Sequence, residues 1–189
     1  MTLGTLTWAR ALDHLDLVAA STAATLTRWA EADERVAEQV LVAQIDPELA
    51  DTAALTEAFD LPPSASVNCV LVAGRREGTE RIAAALVRAT TRADVNSTVK
   101  RLLDVRKCSF LPMDRATAES GMEYGGITPT GLPEDYRLLL DSRVTVDDPD
   151  ASGIVVIGSG VRHSKIALPG ALLAAMPGVE VVEGLALGA

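Results

Sequence analysis

The sequence predicts an α+β fold built on a mixed or antiparallel sheet. Two observations carry that reading. Short apolar, β-branched runs alternate with short Ala- and Leu-rich segments, without the regular strand–helix–strand period of a parallel α/β protein. The apolar fraction is 48% but aromatics supply only 3%, so the core must be built from Ala, Val and Leu. With 189 residues and no internal repeat, linker or low-complexity tail, the chain is expected to form one domain, 1–189.

Taken in order, residues 14–42 set Leu15, Val18, Ala19 and Leu26 at helical spacing and predict one or two helices with a break near 30–34. Trp8 and Trp29 read as packing residues of these helices, and His14 as structural. VLVAQI (40–45) is a strand ended by Asp46-Pro47. DTAALTEAF (51–59) is a short helix that Asp51 or Thr52 can cap and Pro62-Pro63 closes. VNCVLVAG (67–74) and RIAAALVRA (81–89) pair as a hairpin across RREG. Asp94 opens a helix through VNSTVKRLL, residues 106–110 form a short strand, and Gly121 terminates the helix MDRATAES. RLLLD (137–141), GIVVIGSG (153–160) and SKIAL (164–168) are further strands. Pro169 begins a last short helix, and VEVVEG (179–184) is the final strand.

Composition narrows the function classes. No apolar run approaches the ~18 residues a membrane span needs. The opening MTLGTLTWARALDHLD has no signal-peptide h-region. Cys69 and Cys108 lie far apart without a CxxC partner. These features predict a cytoplasmic protein with reduced thiols and no membrane partner, disulfide framework or zinc site. No P-loop, dinucleotide fingerprint or metal-ligand constellation is present, so neither cofactor nor metal is expected. The net charge of −9 argues against strong autonomous nucleic-acid binding. Its distribution is uneven: residues 1–60 hold 3 basic and 11 acidic side chains, residues 61–110 hold 9 and 4. The second stretch is either one solvated face among others or a local positive surface.

GMEYGGITPTGLP (121–133) places four glycines and two prolines in thirteen positions. Together they specify a rigid, irregular loop whose main-chain groups a ligand can approach closely. The loop runs into LLLD, ending at Asp141, and a second cluster, GSGVRH (158–163), follows the next strand.

This arrangement resembles the YbaK/ProX family of aminoacyl-tRNA deacylases, whose fold also occurs as the editing insertion of bacterial prolyl-tRNA synthetases. The family pattern is a TG…GG[IV][ST]PxG loop followed by a strand ending in Asp. Asp46-Pro47, the VNCVLVAG strand, the glycine cluster and the terminal LPGALL helix appear in the family's order. The resemblance covers roughly 35–186 and leaves 1–34 as an N-terminal helical extension. It implies a mixed, partly barrel-like β-sheet surrounded by helices. It also implies hydrolysis of the ester joining a wrong amino acid to the 3′ end of a tRNA, and Gly125 as the loop glycine that holds the aminoacyl group and terminal ribose. Rigid main-chain donors suit that task, because they stabilise developing oxyanion charge without reorganising.

One family landmark is replaced. The family carries a lysine in a [VI]xK[ST]L pattern, and Asn68 of SVNCVLV stands in its place. Asn donates and accepts hydrogen bonds but brings no charge. Lys100, Arg75, Arg162 and Lys165 are the cations that could compensate, and the sequence does not select among them. The expected catalytic positions are thus Asn68, Gly125 and Asp141. Gly126, Thr128, Gly131, Gly158, Ser159 and His163 are the expected substrate contacts, with His163 the one general-base candidate in its half of the chain. The expected partners are aminoacyl-tRNA, bound weakly by the protein alone, and an aminoacyl-tRNA synthetase. The competing readings are a non-catalytic aminoacyl-tRNA or synthetase-binding module and a small-molecule binder reusing the pocket.

Overall fold

The computed structural model describes residues 3–146 and 153–188; the extreme ends of the 1–189 span lie outside them. The chain begins with β1 (Ala9–Arg10) and two 3₁₀ turns, then α1 (Ala20–Ala32), α2 (Arg35–Gln39) and β2 (Leu41–Gln44). α3 (Thr52–Phe59) leads to β3 (Val67–Arg76), β4 (Thr79–Arg88) and β5 (Thr91–Ala93). A π-helical turn over Val95–Val99 feeds α4 (Lys100–Leu102), followed by β6 (Cys108–Phe110) and α5 (Met113–Ser120). β7 (Arg137–Asp141), β8 (Ile154–Gly158), β9 (Ser164–Pro169), α6 (Gly170–Ala174), β10 (Val179–Val182) and β11 (Ala186–Gly188) complete the order.

Local chemistry accounts for several boundaries. Glu77 and Gly78 both take positive φ, the two-residue turn that matches strand twist, so β3 runs two residues into RREG and β4 starts two residues earlier than the apolar pattern suggests. Asp94 accepts from the amides of Ser97 and Thr98, which caps the turn that follows it. Gly121, at φ 67°, ends α5. Asp51 occupies the N-cap position of α3 but makes no side-chain capping bond. Trp8 lies ahead of β1 rather than in a helix, and its indole N–H donates to the Leu3 carbonyl.

Two main sheets face each other. One has the order β1-β2-β9-β8 and is antiparallel throughout. The other has the order β10-β7-β4-β3-β6, with β10, β7 and β4 parallel and the rest antiparallel. β11 and β5 form a separate pair. A single parallel bridge, Ser66 to Val156, joins the main sheets and gives the α+β, partly barrel-like arrangement.

The period of two sorts each strand of the second sheet between two apolar clusters. Leu71, Leu86 and Leu140 meet Val42, Val155, Ile166 and Leu168 of the first sheet in the main core, together with Leu26 and Trp29 of α1. Val72, Ala85, Val87 and Leu139 point the other way, against Val99, Leu103 and Leu185.

Candidate active site

β3 is ten residues long, but its outer neighbour β6 pairs only with Val72–Gly74. Its first half therefore presents an open edge where the first sheet approaches. A cleft of about 330 Å³ lies there. Asp51, Thr52 and Leu55 of α3, Ser66 to Val70 along the β3 edge, and Val156 to Gly158 of β8 form its walls. Tyr124, Gly125 and Ile127 of the glycine-rich loop and Lys165 of β9 complete it.

Asn68 faces this cleft. The Thr52 hydroxyl donates to Asn68 Oδ1 at 3.2 Å, which leaves the amide NH₂ as the group available to a ligand. Cys69, beside it, is no nucleophile: burial pushes its thiol up to about 12, and the thiol form reacts poorly. Ser66 also lines the cleft, and its buried hydroxyl has no hydrogen-bond partner among the described residues.

The glycines serve mainly to bring backbones together. A Cβ on Gly158 would lie 2.3 Å from the Gly126 carbonyl oxygen, and one on Gly126 would lie 2.5 Å from that of Val161. The two loops are stitched by Gly160 N–H to Gly126 O (2.7 Å) and Glu123 N–H to Gly160 O (2.9 Å). Gly125 and Gly158 also line the cleft, and Gly125 does so at φ 81°.

Lys165 is 94% buried (6% exposed) on the strand beside the cleft. Its Nζ donates to the carbonyls of Ala50 (2.7 Å) and Gly125 (3.4 Å). Burial, with the Arg162 charge adding to it against the opposing pull of Asp51, lowers its pKa to about 8. Arg162 itself sits at the rim, where its guanidinium donates to the carbonyls of Pro47 and Tyr124 and lies 3.7 Å from Asp51.

Other expected site residues lie elsewhere. Asp141 is 2% exposed and outside the cleft walls; its carboxylate accepts from Arg143 Nε at 2.8 Å and from the Ala186 N–H at 2.8 Å. It ties β7 to β11. Thr128 is fully buried with an unpartnered hydroxyl, away from the cleft lining. Gly131 packs on the backbone of Ser21 and Thr22 at the start of α1. Ser159 is fully buried, its single hydroxyl proton within reach of the carbonyls of Val161 (3.1 Å) and Ser164 (3.0 Å) while its oxygen accepts from the Ser164 hydroxyl (2.8 Å). His163 contributes its carbonyl to Ile45 N–H (2.9 Å), and its residue is not part of the cleft wall. Of the four cations the sequence left open, Arg75 pairs with Glu80 on the hairpin, Lys100 begins α4, Arg162 holds the rim, and Lys165 lines the cleft.

A family model for the aminoacyl-tRNA editing domain matches residues 46–175. The chain belongs to the aminoacyl-tRNA editing domain family. The match takes in every wall of the cleft, from Ala50 to Lys165. The editing-domain fold recurs in solved structures. A hypothetical protein is 18% identical with a TM-score of 0.69, over 86% of this chain and 99% of its own. A candidate trans-editing enzyme for prolyl-tRNA synthetase is 17% identical with a TM-score of 0.66, over 87% and 98%. A scaffold protein designed to carry a grafted epitope gives 17% and 0.67, over 91% and 100%. At these identities the likeness is one of fold. No curated protein sequence matches the chain.

Several cleft residues, Thr52 and Tyr124 among them, had no signal in the sequence as site residues. Thr52 read only as a helix cap, and Tyr124 as part of the loop. Both become visible once α3 and the loop converge on the β3 edge.

Proposed function

We propose that this protein hydrolyses the ester joining an amino acid to the 3′ end of tRNA, clearing mischarged tRNA in trans as a cytoplasmic enzyme of the YbaK/ProX type. One observation carries the reading: Gly125 of the editing-family loop and Asn68 of the β3 edge border the same cleft. Asn68, its Oδ1 held by Thr52, offers its NH₂ to the aminoacyl group. Gly125 and Gly158 bring main chain close to the ester with no Cβ between. The walls from Leu55, Val70, Ile127, Val156 and Ile157 are apolar, and the small volume favours a small amino acid. Tyr124, 57% exposed at the mouth, offers a ring on which the terminal base of the tRNA can stack. Ester hydrolysis is intrinsically accessible chemistry, so positioning and electrostatics suffice.

The chain as a whole, 1–189, acts as the unit, since α1 packs in the main core with both sheets. Aminoacyl-tRNA is the partner, held weakly unless a synthetase delivers it. No helix among the described residues is long and apolar enough to cross a membrane.

A deacylation screen over mischarged tRNAs tests the proposal. Release of one or a few small amino acids well above spontaneous hydrolysis is the expected result. The absence of family lysine at Asn68 favours one second reading, a binding module without turnover. Saturable tRNA binding with no release on any member of the panel would establish that reading instead.

A further inference from the structure

Among the described residues, Lys165 is the one cation on the cleft wall, and its setting is costly. A lysine in a strand is seldom this buried without a carboxylate partner, because removing an ammonium from water is expensive. Among the described residues Lys165 makes no ion pair with a carboxylate, and its two acceptors are the Ala50 and Gly125 carbonyls. Asp51, the acid in its field, instead lies 3.7 Å from Arg162 and is itself largely exposed. An ammonium has three donors, so two carbonyls leave one unspent. The second bond, at 3.4 Å, is long enough to yield to a better acceptor. Both carbonyls belong to segments that border the cleft, and Asn68 on the opposite edge is neutral.

We propose that Lys165 is the catalytic cation of this cleft, its ammonium donating to the carbonyl oxygen of the aminoacyl ester as negative charge develops there. The inference rests on the deacylase reading above. In the step, a water oxygen bonds to the ester carbonyl carbon and the C=O π pair moves onto the carbonyl oxygen beside Nζ. The pair then returns, the bond from carbon to the ribose oxygen breaks, and that oxygen leaves carrying one of the water's protons. The released amino acid gives its remaining carboxyl proton to solvent. Lys165 remains an ammonium throughout, which its pKa of about 8 allows at neutral pH. The charge the family places on β3 is thus supplied here from β9, across the same cleft.

The test is single-turnover deacylation of the best mischarged tRNA from the screen by wild type, Lys165→Met and the double variant Lys165→Met/Asn68→Lys. Binding of a non-hydrolysable aminoacyl-adenosine amide is measured alongside, and thermal unfolding checks each variant. Loss of one charge-stabilising donor should lower the rate constant at least ~100-fold. Affinity for the amide should change less than about tenfold, since little charge develops in the ground state. The double variant should recover part of the lost rate, because its ammonium enters the same cleft from the β3 edge. If Lys165→Met does not fold, Lys165→Gln, which can still donate to carbonyls, must show the same loss. An active wild type matched within threefold by a folded Lys165→Met or Lys165→Gln overturns the role of Lys165 alone. A wild type inactive on the whole panel overturns the deacylase reading, and this role with it.

Discussion

Asp141 and Lys165 are both charged, both on strands, and 2% and 6% exposed, yet their surroundings could hardly differ more. Asp141 is saturated. Arg143 donates to it through its guanidinium and its amide, and the Ala186 N–H supplies a further bond. Burial pushes its pKa upward, but these donors outweigh burial and hold it below the ordinary carboxylate range. Lys165 has only carbonyls, and burial dominates, so its pKa falls. A buried charge whose bonds are all spent holds the fold together; one with a donor left over is available to a substrate.

The largest stability effect is expected at Asp141. Asp141→Ala leaves the buried Ala186 amide without its acceptor, while the half-exposed Arg143 can turn to water, and should cost about 1–3 kcal/mol. Chemical denaturation measures that loss, while turnover per folded molecule should stay near wild type. The same group sets an acid limit. Its pKa is depressed in the fold, so its stabilisation is present above the unfolded value near 3.9 and is lost as pH falls through the folded value. Urea midpoints of wild type should therefore drop below about pH 4, and Asp141→Asn should flatten that drop.

Lys165 gives a slope of the same sign at the other end of the pH scale, because there the fold penalises the charge instead of favouring it. Its unfolded pKa of 10.5 exceeds the folded value of about 8, so between these limits the unfolded chain holds more protons and stability rises with pH. Relative to Lys165→Met, wild type should gain stability from about pH 8 to 10.5. Arg162 lowers the folded value and Asp51 raises it, so Asp51→Asn should move the onset of that gain to lower pH. With Lys165 in place, Asn68→Lys alone should bring no acceleration, since it adds a second ammonium to one small cleft.

Smaller effects test the rest of the site. Tyr124→Ala should raise KM for aminoacyl-tRNA about tenfold with little change in kcat, the size of one lost stacking contact. Binding should also weaken with salt. Arg75, Arg76 and Arg81 are paired with Glu80 and Asp104, so charge reversal at exposed Arg101, Arg106 and Lys107 is the sharper probe. A few-fold loss in affinity is expected there.

Much of the fold was legible because its signals are local. The Ala-rich hairpin alternation, the Asp94 cap and Gly121 after α5 each act within a few residues. β1, β5 and β11 were not legible: they are two or three residues long and exist through distant partners, Leu41–Val42 for β1 and each other for β5 and β11. The site divided the same way. Asn68, Gly125 and Gly158 carry sequence marks and border the cleft, whereas Asp141 carries such a mark and is claimed by β11, which the sequence did not reveal. Lys165 could not be ranked because SKIAL reads as an ordinary strand. Its meaning lies in the carbonyls of Ala50 and Gly125, 115 and 40 residues away.

The most direct measurement sets single-turnover deacylation rates of Lys165→Met and Asp141→Asn side by side, each normalised to folded protein. The expected result is a loss of ~100-fold or more for Lys165→Met and a rate within a few-fold of wild type for Asp141→Asn. Comparable losses in both, or the larger loss at Asp141, would contradict it.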